Sequence, residues 1–160
     1  MKTLKRTFIF GIITMVLTII HHSYGAIIYE APFRLHVALI AVPATLILLI
    51  TFWMYNKQTR KAYKTAAFWI FISFSAIFPI GIIGLFEGVY NHVVKNILYF
   101  GGASNGLLTM LFPPPEYEMP NDVFFELTGI LQAIPGLFAL YYFLKIRFKN
   151  FLILEKVSKN

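Results

Sequence analysis

The chain has 160 residues, of which 58% are hydrophobic and only 13% charged, and it carries no cysteine; its mean hydropathy is +0.70. These values exclude an ordinary soluble globular domain, and the missing thiols exclude disulfides, thiolate catalysis and sulfur-ligated clusters. A formal net charge of +7 would point to nucleic acid in a soluble protein, but the basic residues here flank apolar blocks, where they orient membrane spans; no nucleic-acid partner is expected.

Met1–Arg6 is a short basic leader before an apolar run from Thr7 to Ile20. Ser23 and Gly25 stand at positions where a signal peptide could be cut, but the segment reads as a first transmembrane helix over about 7–24, closed by Gly25 as its C-cap. Ala26–Ala31 is then a tight connection, and Pro32 suits the first turn of a second span over about 32–56. Pro43 bends that span, and Trp53 and Tyr55 mark its far end as interfacial aromatics.

The basic loop Asn56–Lys64 leads to a third span over about 66–87, which contains Pro79 and runs into Glu87. From Gly88 to Phe100 the pattern turns amphipathic, as expected of a helix that projects past the bilayer or lies along its surface, with Gly101 and Gly102 as the stop. Ser104–Asn121 is the one long connection. It holds an apolar patch, Leu107–Phe112, followed by Pro113, Pro114 and Pro115, which cannot continue a helix, and it suits a cover over the bundle. Asn121 or Asp122 caps a fourth span over about 122–144, ahead of a basic tail, 145–160.

The expected fold is therefore all-α and a single membrane domain, 1–160: a four-transmembrane-helix up-down bundle with a short interfacial helix and a long extracytoplasmic loop, 88–121, between the third and fourth helices. Twelve of the fourteen basic residues (Lys2, Lys5, Arg6, Lys57, Arg60, Lys61, Lys64, Lys145, Arg147, Lys149, Lys156 and Lys159) fall on one side of that topology. An excess of lysine and arginine marks the cytoplasmic face, so both termini are expected there, in an inner membrane of bacterial type. Six of the seven acids (Glu30, Glu87, Glu116, Glu118, Asp122 and Glu126) and all four histidines belong to the other side.

That asymmetry carries the functional expectation, because ionisable groups inside spans are expensive and are functional by default. At about 1.5 Å per residue, His21, His22, His36 and Glu126 each lie roughly 5–7 Å inside a helix end, and Glu87 closes its own span at a similar level. Every span thus offers a histidine or carboxylate near one plane. Imidazole and carboxylate lone pairs suit zinc, iron, manganese and copper(II), and the preferred ligand set is His22, His36, Glu87 and Glu126, with His21 and His92 in reserve. His21 and His22 stand about 100° apart around the helix, so one of them is expected to face the bundle axis.

No HExxH is present, Glu87 and His92 are five apart rather than three, and the histidines lie too near the membrane surface to favour a haem. Metal-free chemistry uses the same groups: Glu126 as general acid or base with His36, assisted by Tyr29, on a lipophilic substrate oriented by Tyr24 and Tyr90. Arg34 can meet an anionic headgroup or pair with Glu30, and Gln132 can line a cavity or bond between helices. Lys95 reads as an interfacial anchor, and Gly81 and Gly84 as points of close helix contact. Three functions remain open: a metal-dependent membrane enzyme or metal-binding protein, a metal-free acid/base enzyme on a lipid-like substrate, and an accessory subunit of a larger membrane complex. The partners implied are the bilayer, a lipophilic small molecule, and either further copies of the chain or other membrane subunits.

Overall fold

A computed structural model describes residues 2–114 and 117–146, all helix and loop with no strand among the described residues. The expectations for Glu116 and for the basic residues beyond 146 lie outside the described residues. Four helices are long and apolar enough to cross a membrane. We name them α1 (Lys2–Ile28), α2 (Leu35–Lys57, entered through a 3-10 turn at Pro32–Arg34), α3 (Lys61–Phe100) and α5 (Val123–Leu144). The short helix α4 (Asn105–Leu111) lies in the long connection.

Helix α1 is in contact with each of the other three spans; α5 packs on α1 and on the second half of α3, while α2 packs on α1 and on the first half of α3. The apolar core, centred on Met15, Ala44, Leu48, Phe71 and Ile72, fills the middle and the basic-loop end. There Phe8 stacks on Phe52 with ring centroids 4.0 Å apart, and Phe10 stacks on Phe138 at 5.0 Å. Large side chains such as Ile9, Ile13, Leu39 and Trp53 remain exposed on the outer faces. An outward apolar surface of that kind is stable only against acyl chains.

Three local expectations are corrected. Gly25 does not end α1, which continues to Ile28. Its lack of a side chain serves packing instead, because a Cβ there would stand 2.5 Å from Cε2 of Phe125. The amphipathic stretch after Glu87 is not a separate interfacial helix, since α3 runs without a break for 40 residues. Between Ala76 and Val94 that helix widens into π geometry. Pro79 supplies a physical reason: it has no N–H to donate to the carbonyl of Ser75, so the α-helical hydrogen-bond ladder is broken where the i to i+5 pattern takes over. Gly84 is a close-contact glycine as expected, but a Cβ on Gly81 would meet only Ala76 O of its own helix, at 2.9 Å.

Other end signals operate as read. Helix α3 stops at Phe100, with Gly102 at φ 79°. Asp122 caps α5, its Oδ1 accepting from Phe125 N at 2.7 Å. The hinge between α1 and α2 closes with Glu30 at φ 48°, a left-handed position. In the long connection, Leu108 and Phe112 are buried, and Tyr90 donates to Leu111 O at 3.0 Å, fastening the cover to α3. Asp122→Ala is expected to cost about 1 kcal/mol of stability through the lost cap, readable as a lower melting temperature in detergent.

Candidate metal centre

Four ring or carboxylate groups from α1 and α3 converge. His21 and His22 come from the last two turns of α1, and Glu87 and His92 from the π segment of α3. Ligand atoms of His21, His22 and Glu87 all lie within 4.8 Å of one another. His92 Nε2 is 3.1 Å from His21 Nε2 and 3.6 Å from Glu87 Oε1. The same Oε1 is 3.4 Å from His22 Nε2 and 3.8 Å from His21 Nε2.

π geometry makes this possible. In an α-helix a spacing of five carries a side chain about 140° around the axis. Hydrogen bonding from i to i+5 instead returns residue i+5 close to the starting face. Glu87 and His92 therefore point the same way, as do Glu87 and Asn91, whose Nδ2 donates to Glu87 Oε2 at 2.7 Å.

The surroundings fix which ring nitrogens are free. Glu126, at the start of α5, accepts three donors: His92 Nδ1 at 2.9 Å, Lys95 Nζ at 3.0 Å and Asn96 Nδ2 at 2.5 Å. A carboxylate so surrounded is acceptor only, so His92 donates from Nδ1, and in the neutral ring its Nε2 is the lone pair. Thr128 donates its hydroxyl to its own helix, to Phe124 O at 2.9 Å and Phe125 O at 3.0 Å. Its Oγ1 accepts from His21 Nδ1 at 3.0 Å, so the Nε2 of His21 is a lone pair as well.

The two buried Nε2 atoms face each other at 3.1 Å beside a carboxylate oxygen. Both nitrogens of His22 are buried without a hydrogen-bond partner among the described residues. Glu87 and Glu126 bring two carboxyl groups to the cluster, with Lys95 against Glu126 and Arg34 on the cavity wall. Position is enforced by packing: the His21 ring stacks on Phe125 at 4.1 Å, and Gly129 has no side chain where the His92 ring presses on α5.

Beside the cluster a cavity of about 330 Å³ is lined by His22, Glu87 and His92 together with Arg34, His36 and Phe86, among others. The preferred ligand set divides accordingly. His22 and Glu87 meet, and the reserves His21 and His92 join them. Glu126 stands behind His92 and orients it. His36 is exposed on the cavity wall, with Nδ1 against the carbonyl of Phe33. His21 and His22 both reach inward despite their separation around α1, because Glu87 lies between two splayed rings with an 86° interplanar angle.

Tyr24, Tyr29, Tyr90 and Gln132 do not line this cavity. Tyr24 donates to Asp122 at 3.3 Å, and Tyr29 to Asn121 Oδ1 at 2.5 Å. Burial, helped by nearby Glu126 and Asp122, pushes the Tyr29 phenol up to about 12, so it holds its proton rather than accepting one. Gln132 is fully buried, with neither side-chain polar atom hydrogen-bonded among the described residues. Lys95 is no surface anchor: 2% exposed, it joins Glu126 to Glu118 O at 2.6 Å. Asn91, Asn96 and Thr128 escaped the sequence reading. Their signal was helical spacing, Asn91 and Asn96 flanking the faces that bear Glu87 and His92, and Thr128 two residues after Glu126.

No protein-family model matches the chain, and no curated protein or solved structure matches it.

Proposed function

We propose that the protein is a membrane metalloprotein holding one divalent transition metal between His21, His22, Glu87 and His92, and that it acts as an enzyme on a lipophilic substrate entering the adjacent cavity. The observation that carries this reading is the convergence of His21, His22 and Glu87 ligand atoms within 4.8 Å of one another, with His92 Nε2 3.1 Å from His21 Nε2. A metal bound tetrahedrally at about 2.0–2.1 Å from each ligand sets those ligands roughly 3.3–3.4 Å apart. Four of the six ligand separations, 3.1, 3.4, 3.6 and 3.8 Å, bracket that value, and His21, His22 and Glu87 form the group whose ligand atoms all lie within 4.8 Å of one another. Imidazole with carboxylate suits zinc or iron(II), and copper(II) less closely. A metal so placed supplies Lewis-acid chemistry, and the protein contributes the fixed rings, the dry surround and the cavity.

Two arrangements support the assignment. Ligating histidines characteristically donate their second ring N–H to a carboxylate or hydroxyl, as His92 does to Glu126 and His21 to Thr128. A metal-free alternative places one proton between the two facing rings, which satisfies that edge but leaves both nitrogens of His22 without a partner.

The up-down course of the chain and its orientation belong to the same proposal. Lys2 and His21 share α1 and are separated by about 28 Å at helical rise, near the thickness of a bilayer core. With the basic residues of the leader and of the loop after α2 in the cytoplasm, the cluster faces the extracytoplasmic side of a bacterial inner membrane.

Elemental analysis with X-ray absorption, on protein expressed in zinc- and iron-supplemented medium, tests the reading. About one metal per chain with nitrogen-rich coordination near 2.0–2.1 Å is expected. A metal-free preparation defeats it, and co-purification with fixed partners would then favour an accessory subunit. Glu126→Gln keeps the shape but weakens the acceptor behind His92, and is expected to reduce metal affinity about 10–100-fold in a chelator-competition titration.

A further inference from the structure

Arg34 lines the cavity as a buried cation with donors that no hydrogen bond among the described residues accounts for. It is 7% exposed, and neither Nε nor Nη2 has a hydrogen-bond partner among the described residues. Its guanidinium lies 5.1 Å from the Tyr29 ring centroid, 5.5 Å from that of Phe33 and 5.4 Å from that of Phe125. Aromatic faces hold such a group in place but satisfy none of its N–H donors. The nearest carboxylate oxygen, Glu118 Oε1 in the cover loop, is 3.9 Å from Nη2, beyond hydrogen-bond reach. A guanidinium that lines a cavity and keeps unmet donors suits an oxyanion.

The rest of the wall describes what that oxyanion is attached to. Phe33, Ile82 and Phe86 line the cavity and are each nearly half exposed, so its apolar side runs out onto the surface that faces acyl chains. Val37 and Ile83 continue the apolar wall inward. His22, Glu87 and His92 line the same space, which puts the bound molecule beside the cluster.

We propose that the cavity binds an anionic amphiphile, its carboxylate or phosphate paired with the Arg34 fork and its hydrocarbon tail lying along Phe33, Ile82 and Phe86. Glu118 holds the anion's place when the site is empty. Its backbone carbonyl is fixed by Lys95 at 2.6 Å, while its 37% exposed side chain is free to swing aside. This inference deepens the metal-centre reading and rests on it for the identity of the reacting group, but not for binding itself.

The test is a titration of the full-length protein in neutral detergent with four probes: oleate, oleoyl lysophosphatidate, uncharged monoolein and inorganic phosphate. Binding is read by native mass spectrometry on metal-loaded and chelator-stripped samples. Oleate and lysophosphatidate are expected to bind at least about tenfold tighter than monoolein or phosphate, and Arg34→Gln is expected to weaken them on the order of 10- to 100-fold. Arg34→Lys retains the charge without the fork and should fall in between, which controls for a folding defect. Glu118→Gln removes the competing carboxylate and should tighten both anions.

Equal affinity of oleate and monoolein, or indifference to Arg34→Gln, overturns the proposal. Phosphate binding as tightly as lysophosphatidate overturns the tail assignment. Arg34-dependent binding by a protein that never retains metal supports the inference and removes only the metal reading. Stoichiometric metal without Arg34-dependent binding does the reverse.

Discussion

Glu87→Gln and His21→Ala are each expected to bring bound metal from about one ion per chain to background, an affinity loss beyond the 10–100-fold expected for a supporting residue such as Glu126. Glu87 Oε1 is the hub of the cluster, within 3.4–3.8 Å of three ring nitrogens. An amide offers a neutral oxygen there and changes the local balance by one charge. His21 faces His92 directly, so its loss opens the shortest edge. His36→Ala is the informative contrast, because that ring is exposed and turned to the backbone of Phe33. It should leave metal content unchanged. Metal retained equally by Glu87→Gln and the parent protein would sink the proposed centre.

The second large effect concerns the seam between α3 and α5. A Cβ on Gly84 would stand 2.8 Å from Gly136 Cα, and one on Gly88 would stand 2.6 Å from Ala133 N. Backbone meets backbone along this line, and nothing there is a flexible side chain that could yield. Gly136→Leu is accordingly expected to cost about 3 kcal/mol or more by forcing the helices apart, readable as a large fall in thermal stability in detergent. Because Glu126, Thr128 and Gly129 ride on α5, the same displacement should take metal binding with it. Gly106→Ala, where a Cβ meets nothing within 4 Å, should stay within about 0.5 kcal/mol of the parent. A Gly136→Leu protein as stable as the parent would refute the seam.

Lys95 shows how an isolated reading of one side chain misleads. On the sequence it belongs to an amphipathic stretch, and its long apolar stem fits an interface. Burial against Glu126 became visible only once α5 was laid beside α3, because the pair is separated by 31 positions in the chain. The same holds for Thr128, whose hydroxyl looks ordinary until it is found holding His21 Nδ1.

By itself the sequence determined the class of the molecule and the end of it that matters. Apolar runs long enough to span a bilayer, with polar groups gathered toward one end, follow from local hydropathy, and the stop at Gly101 and Gly102 and a cap at Asn121 or Asp122 follow from residue type. Only the tertiary structure decided which groups meet. Pro79 interrupts the α-helical ladder inside a π segment that runs from Ala76 to Val94, and that wider turn brings Glu87 and His92 onto one face, where α-helical periodicity would have set them about 140° apart. The proline was legible in the chain, but the close approach of Gly84 and Gly88 in the π segment to α5 was not. That contact is set by packing between distant segments and not by any local pattern.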